Sequence, residues 1–326
     1  MLPLSRLIPL AFMLIAVPVA AQDFPQVFEH KFGVTTLDEK PVRVVSLSYL
    51  GQDHFLSLGV HPVGVRTWYG DYPYGAWPWA QAALGDSQPQ MIGDLNYEQI
   101  AMLEPDVIEA VWAGITAEEY VELSKIAPVV ATGLDYADYG TPWQVITKTF
   151  GRIVGEQEQA EALVTGIDQR FADSAAAHPE WQGKTAAIAW VGDTLGAYRS
   201  NDVRSQMMAE LGFVTPAVID ASSSPEDFVT DLSMEQTDVV DADVVIWFNG
   251  EDDPASVKGL ALRDRMRAHV EGREIFAGKQ LSGAFSYASP LSINSMLDKL
   301  VPEIELAIDG DPTTVVTTAK EYGLLD

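Results

Sequence analysis

The chain of 326 residues reads as an α/β protein of two lobes, each built on a mostly parallel sheet flanked by helices, with one long helix joining them. Two observations carry that expectation. Short runs rich in valine and isoleucine recur with helical stretches between them, the pattern of strands buried on both faces. A short phrase is also written twice: DLNYEQIAMLEPDV at 94–107 returns as DLSMEQTDVVDADV at 231–244.

The elements follow in order. Residues 1–21 hold one basic residue, Arg6, an apolar run over 7–17 and a small-residue ending Val19-Ala20-Ala21. That is the pattern of a secretory signal peptide cut after Ala21; the run is shorter than the roughly 20 apolar residues of a membrane span. There is no cysteine, which excludes disulfides, thiolate metal sites, a cysteine nucleophile and a lipid-modified cysteine at the new N-terminus. The expectation is a protein free in a periplasm, without membrane insertion. Its 20 Lys and Arg against 47 Asp and Glu give a formal charge of −27, a surface that repels nucleic acid and anionic membranes.

A first lobe over 22–155 has strands expected at 42–47, 62–65, 107–111 and 129–132. Thr141, Pro142 and Gln144 form a T-x-x-Q capping pattern with proline at the first helical position. After a break at Gly155, an interlobe helix over 156–178 places Ala160, Leu163, Val164, Ile167 and Phe171 on one face. Twenty-odd residues at 1.5 Å each make a rod of roughly 30 Å, long enough to join two lobes, and Pro179 helps to end it. A second lobe over 179–326 has strands expected at 185–191, 213–219, 244–248 and 274–276.

In the repeated phrase, Asp94/Asp231, Leu95/Leu232, Glu98/Glu235, Gln99/Gln236, Asp106/Asp243 and Val107/Val244 are identical. Each copy reads as a cap residue (Asn96, Ser233), a short helix, an aspartate and a buried strand. Glu98 and Glu235 then fall at the second helical position. There a carboxylate interacts favourably with the helix dipole by about 0.3–1 kcal/mol, which is the local explanation; paired docking points, one per lobe, are the functional one.

PVRVVSLSYLGQDHFLSLGVHPVGV, IGDLNYEQIAMLEPDVIEA, the interlobe helix and ELGFVTPAVI leading into DLSMEQTDVVDADVVIW together resemble the substrate-binding proteins of ABC importers for ferric siderophores, a group that also includes cobalamin and haem binders. The resemblance covers nearly the whole chain after the leader. It implies the bilobal periplasmic-binding-protein fold, a ligand held in the cleft, a monomer, and a surface glutamate on each lobe pairing with arginines of the membrane permease. Glu98 and Glu235 match those glutamates by motif position.

Ligands of open α/β sheets collect at the carboxyl ends of strands. In the first lobe those ends offer Arg66, Trp68, Tyr69, Tyr74, Trp77 and Trp112, with Tyr72 and Trp79 in the same ring-rich loop. In the second they offer Tyr198, Arg199, Trp247 and Asn249, and the LSGAFSYASP loop adds Phe285 and Tyr287. Some of these rings are expected to pack on their own lobe. Arg199 is the sharper signal in an acidic protein, with a surface ion pair as its plain explanation; Arg204 is the weaker candidate because it falls on the next helix. Flat rings and phenols suit a large, oxygen-rich Fe(III)-siderophore, and no covalently bound cofactor is expected.

His30, His54, His61, His178 and His269 are scattered without ligand spacing, so no naked-metal site is expected. G-x-S-x-G, Walker A, G-x-G-x-x-G and H-E-x-x-H motifs are absent, so an extracytoplasmic hydrolase is the lesser alternative. Haem or cobalamin stays open beside the siderophore.

Overall fold

The computed structural model describes residues 24–221 and 227–324; the signal peptide expected at 1–21 lies outside them. A hairpin of β1 (Gln26–His30) and β2 (Gly33–Leu37) precedes the first sheet. That sheet contains β3 (Val44–Ser46), β4 (Gly64–Arg66), β5 (Gln90–Ile92), β6 (Val107–Ala110) and β7 (Val129–Ala131) in the order β5-β4-β3-β6-β7, all parallel. The second contains β8 (Ala186–Val191), β9 (Leu195–Tyr198), β10 (Val229–Leu232), β11 (Val244–Phe248) and β12 (Glu274–Phe276) in the order β10-β9-β8-β11-β12. The two orders are equivalent, with one difference. β9 returns from β8 as a hairpin and runs antiparallel to both its neighbours, so the second sheet is mixed.

The strand expected at 213–219 is not formed. Only Val214 bridges to Thr185, and Pro216, which has no N–H to give a ladder, precedes a short helix at Ala217–Asp220. The stretch expected as a loop around Phe285 is the helix Gly278–Tyr287. The capping pattern at Thr141 is also not made: the helix Trp143–Val154 has Pro142 as its N-cap without a side-chain bond, and the Thr141 hydroxyl has no hydrogen-bond partner among the described residues.

The aspartates of the repeat do the same work in both lobes. Asp106 Oδ2 accepts from the backbone N–H groups of Val42 and Arg43, both at 2.8 Å, at the start of β3. Asp243 Oδ2 accepts from Thr185 N at 2.8 Å at the start of β8. The helical part diverges. Asn96 caps the Tyr97–Met102 helix by accepting from Gln99 N, which leaves Glu98 at its second position. In the second copy the Gln236 side chain accepts from Ser233 N instead, and the helix Thr237–Val240 begins only afterwards. Glu235 therefore sits in a turn, not at the second helical position.

Helix Gln157–Ala177 bridges the lobes. Ala160 is buried in the first-lobe core beside Phe150 and Val154, while Val164, Ile167 and Phe171 are buried in the second-lobe core with Trp181 and Met208. Its start is set by Gly155, left-handed at φ 65°. A second tie crosses between helix Gly51–Ser57 of the first lobe and helix Pro290–Ala307 of the second. There Asp53 Oδ2 accepts from Trp79 Nε1 at 2.5 Å and from Ser289 Oγ at 3.2 Å. Trp77 completes this contact: it is fully buried, and a Cβ on Gly283 would lie 2.5 Å from its ring. Burying a side chain of that size contributes about 1.5–3 kcal/mol.

Candidate functional site

Both sheets aim the carboxyl ends of parallel strands at one cleft. Ser46, Arg66 and Ala110 end β3, β4 and β6, and within three residues of them come Tyr49, Trp68 and Trp112. From the opposite side come Trp190 and Val191 at the end of β8 and Phe248 at the end of β11.

Two adjoining cavities fill the cleft. One, about 370 Å³, is lined by Trp68 and Tyr69 from the first lobe and by Trp190, Tyr198, Arg204, Phe248, Asn249, Ser282 and Ser286 from the second. The other, about 350 Å³, is lined by Tyr49, Trp68, Trp112 and Tyr139 on one side and Trp190, Tyr198, Asp202, Arg204 and Phe228 on the other. Trp68, Trp190, Tyr198 and Arg204 are common to both. The rings hold one another in place: Trp68 lies 5.7 Å from Tyr49, 5.9 Å from Trp112 and 5.1 Å from Tyr287, centroid to centroid.

The cleft's cation is Arg204, on the first turn of helix Val203–Glu210. It is 6% exposed. Its Nη1 donates to both oxygens of Asp202, at 3.1 and 2.9 Å, while Nε and Nη2 donate to Ser286 Oγ at 3.3 and 3.0 Å. The guanidinium carbon lies 4.3 Å from the centre of the Tyr198 ring, a cation–π contact. Burial works against the Arg204 charge, but the nearby Asp202, Tyr198 and Tyr69 outweigh it and raise its pKa. Burial likewise pushes the Tyr69 phenol up to about 12, against the pull of Ser286 and Arg204, and raises Tyr198. Both phenols are therefore neutral hydrogen-bonding groups at physiological pH.

Trp190 owes its position to Gly196, its cross-strand partner on β9. A Cβ there would fall 2.1 Å from the indole, so only glycine lets the ring lie flat over the strand.

The expected residues divide by where they point. Trp68, Tyr69, Trp112 and Tyr198 line the cleft. Arg66 lies just behind it, donating to Ala113 O at 2.9 Å with its guanidinium carbon 4.2 Å from the Tyr49 ring. Tyr287 supports Trp68 from beneath and is buried.

Five expectations are corrected. Arg199 follows Tyr198 on the strand's opposite face; its guanidinium donates to the carbonyls of Asp220 and Asp227, and Arg204 takes the place expected for it. Trp247, one residue before Phe248, points into the second-lobe core, where its Nε1 donates to Glu274 at 2.7 Å. Phe285 packs in that same core while its helical neighbours Ser282 and Ser286 face the cavity. Trp77 wedges between the lobes beneath the cleft, and Tyr74 is on the surface, 37% exposed. Arg204, the weaker candidate, is the arginine that lines the cleft, and the expectations did not include Tyr49, Tyr139, Trp190, Asp202, Phe228, Phe248, Ser282 and Ser286. Trp190 and Phe248 had a visible signal, as aromatics at the ends of the expected strands 185–191 and 244–248.

Glu98 and Glu235 are both exposed and in no ion pair among the described residues. The histidines stay apart: His54 bonds Thr147 inside the first lobe, His30 bonds Thr35, and His269 contacts Glu274. No group of three or more metal-ligating side chains forms among the described residues.

Residues 44–278 match the family described as periplasmic binding protein. The chain belongs to that family. Among solved structures, this binding protein is similar to a periplasmic solute binding protein from Mycobacterium smegmatis, at 32% identity and a TM-score of 0.76, covering 86% of this chain and 98% of that one. It is also similar to PiaA of Streptococcus pneumoniae, solved in complex with ferrichrome, at 27% identity and a TM-score of 0.74, covering 87% of this chain and 99% of that one. Among curated relatives, the ferric enterobactin-binding periplasmic protein of Escherichia coli is 25% identical over 289 residues, 84% of this chain and 81% of that protein. No helix among the described residues is long and apolar enough to cross a membrane.

Proposed function

We propose that this binding protein captures a ferric siderophore between its lobes and delivers it to the permease of an ABC importer. The observation that carries the proposal is the ring-lined cleft with one buried arginine at its centre. Stacked rings bury the organic arms of a chelate, and Arg204 with the neutral phenols of Tyr69 and Tyr198 offers N–H and O–H donors to the oxygens around the iron. The names of the similar proteins point the same way, to ferrichrome and to ferric enterobactin. Family membership and the reversible, noncovalent character of such a cleft support binding without chemical change of the ligand.

Lobe closure is limited in this reading, because helix Gln157–Ala177 and the Asp53, Trp79 and Ser289 contact both brace the two lobes. Glu98 and Glu235, one on each lobe, exposed and in no ion pair among the described residues, serve as docking points for permease arginines; such charge-assisted pairs are directional yet reversible. The protein acts as a periplasmic monomer after removal of its leader.

Titrating a ferric siderophore while following tryptophan fluorescence tests the proposal. Trp68, Trp112 and Trp190 line the cleft, so quenching that saturates in the submicromolar range is expected. Flat titrations with hydroxamate, catecholate and carboxylate chelates, with a response to haemin or cobalamin, would reassign the ligand. For docking, the Glu98→Ala, Glu235→Ala double variant is expected to bind ligand normally and to lose uptake in cells; normal uptake would remove that role.

A further inference from the structure

The cleft contains a second charge that the siderophore reading does not require. Of all the residues lining the two cavities, Arg204 and Asp202 are the charged ones, and they are paired with each other. Asp202 is 2% exposed and lines the cavity beneath Tyr198 and Phe228. Its placement is enforced locally, because Asp202 is also the N-cap of helix Val203–Glu210, accepting from Arg204 N at 2.9 Å. One carboxylate thus caps the helix that presents the arginine and cancels that arginine's charge.

The charges around the pair do not restore a positive field. Arg66, over the Tyr49 ring, is offset by Asp138 and Glu119: beside the larger effect of burial, the Tyr139 phenol is pulled down by Arg66 and pushed up by both carboxylates. Asp138 itself pairs with Lys31. On the second lobe, exposed Asp193 lies two residues beyond the cavity-lining Val191, and exposed Glu251, Asp252 and Asp253 follow directly after cavity-lining Gly250. The nearby Lys279 lies over Tyr72, 5.7 Å from its ring centre, outside the cavity lining. The whole chain adds a formal −27.

From this balance, and resting on the siderophore reading above, we infer that the cleft selects ferric chelates of zero or positive charge, the trihydroxamate class, and that Asp202 is the residue that sets this preference by neutralising Arg204. Three hydroxamates bring one negative charge each and cancel Fe(III), whereas three catecholates bring two each and leave a triply negative complex. A buried cleft is poorly screened by salt, so a trianion there meets the full unbalanced field. It gains no net charge attraction from an arginine already neutralised by a carboxylate, and the protein's overall negative charge opposes it. Trihydroxamates lose nothing on either count, and the rings serve both classes alike.

The test compares ferrichrome, a neutral trihydroxamate, with ferric enterobactin, a tricatecholate, on the full-length secreted protein and on Asp202→Asn. Asparagine is as good an N-cap as aspartate, so the helix keeps its start while the cavity gains a net positive charge. The wild type is expected to bind ferrichrome at least about a hundredfold more tightly than ferric enterobactin, with ferrichrome affinity flat between low and high salt. In Asp202→Asn the ratio of the two affinities is expected to fall by about tenfold or more, a difference of about 1.4 kcal/mol, and enterobactin binding becomes salt-sensitive. If Asp202→Asn does not melt cooperatively, Asp202→Ser, which also caps, replaces it. Equal or tighter enterobactin binding by the wild type, or a ratio unmoved by the substitution, overturns the charge preference while leaving the siderophore reading intact. Binding of neither chelate overturns the charge preference, and the siderophore reading falls with it when a ferric carboxylate chelate is not bound either.

Discussion

The two walls of the cleft are made differently. The first-lobe wall is all ring: Tyr49, Trp68 and Trp112 follow the ends of parallel strands, Tyr139 comes from the loop before helix Trp143–Val154, and none offers a charge to the cavity. The second-lobe wall has rings too, but it alone supplies the ion pair of Arg204 and Asp202 and the hydroxyls of Ser282 and Ser286. The sheets explain the difference. Where the first sheet sends β3 through a helix to a parallel β4, the second turns β8 straight back into β9. That hairpin places Tyr198 at its return end, and the chain then enters helix Val203–Glu210 with Asp202 and Arg204 at the cavity. One strand reversed turns an apolar wall into a polar one.

The largest effect is expected from breaking the polar wall. Arg204→Ala leaves Asp202 buried without its partner, a change that typically costs about 3–5 kcal/mol; urea denaturation should report it, and ligand affinity should fall by more than about a hundredfold. A stability loss below about 1 kcal/mol would mean that water reaches the pair.

Asp53 joins the walls, and its replacement should act with a sign set by pH. Burial raises its carboxyl from 3.8 to about 7, against the hydrogen bonds from Trp79 and Ser289. A folded-state pKa above the unfolded one means that the ionised form is penalised on folding. The penalty is absent below about pH 4, grows as pH rises and is complete above about pH 7. Asp53→Asn keeps an acceptor for both donors, so it should stabilise the protein on the order of 2–4 kcal/mol at pH 8, with the gain vanishing toward pH 4. Melting curves across that range check it; a gain independent of pH would assign the effect to packing.

Gly283→Ala sharpens the role of the joint itself. Its new methyl meets the Trp77 ring at 2.5 Å and should cost about 1–3 kcal/mol through overpacking, while affinity falls less than in Arg204→Ala because no cavity residue is touched. The smallest effect belongs to the ring wall: Trp68→Ala should weaken chelate binding by about tenfold, a loss near 1.4 kcal/mol, since neighbouring Tyr49 and Trp112 still cover the ligand. Calorimetric titration distinguishes this from the loss expected at Arg204.

Much of this architecture was legible before any coordinates. The strands at 107–111, 185–191, 244–248 and 274–276, the break at Gly155 and the apolar face of the long helix all follow from local patterns that burial then uses as they stand. The misplaced site residues were missed mostly by one step. Arg199 against Tyr198, Trp247 against Phe248 and Phe285 against Ser286 are adjacent pairs whose members face opposite ways. Both members of each pair are compatible with a strand or helix end, and packing within the second lobe decides which one faces the cleft: Glu274 takes Trp247, and the carbonyls of Asp220 and Asp227 take Arg199.

By itself, then, the amino-acid order determined the alternation of strands and helices, the echo between lobes and the ends of strands where a ligand would sit, because hydrophobic period, proline, glycine and capping residues act over a few neighbours. Only the tertiary structure decided that β9 turns back, that Glu235 lies in a turn, and that Arg204 rather than Arg199 enters the cleft already paired with Asp202. Those outcomes turn on which of several locally possible arrangements packing selects, since a one-residue change of facing alters nothing in the local pattern but exchanges core for cavity.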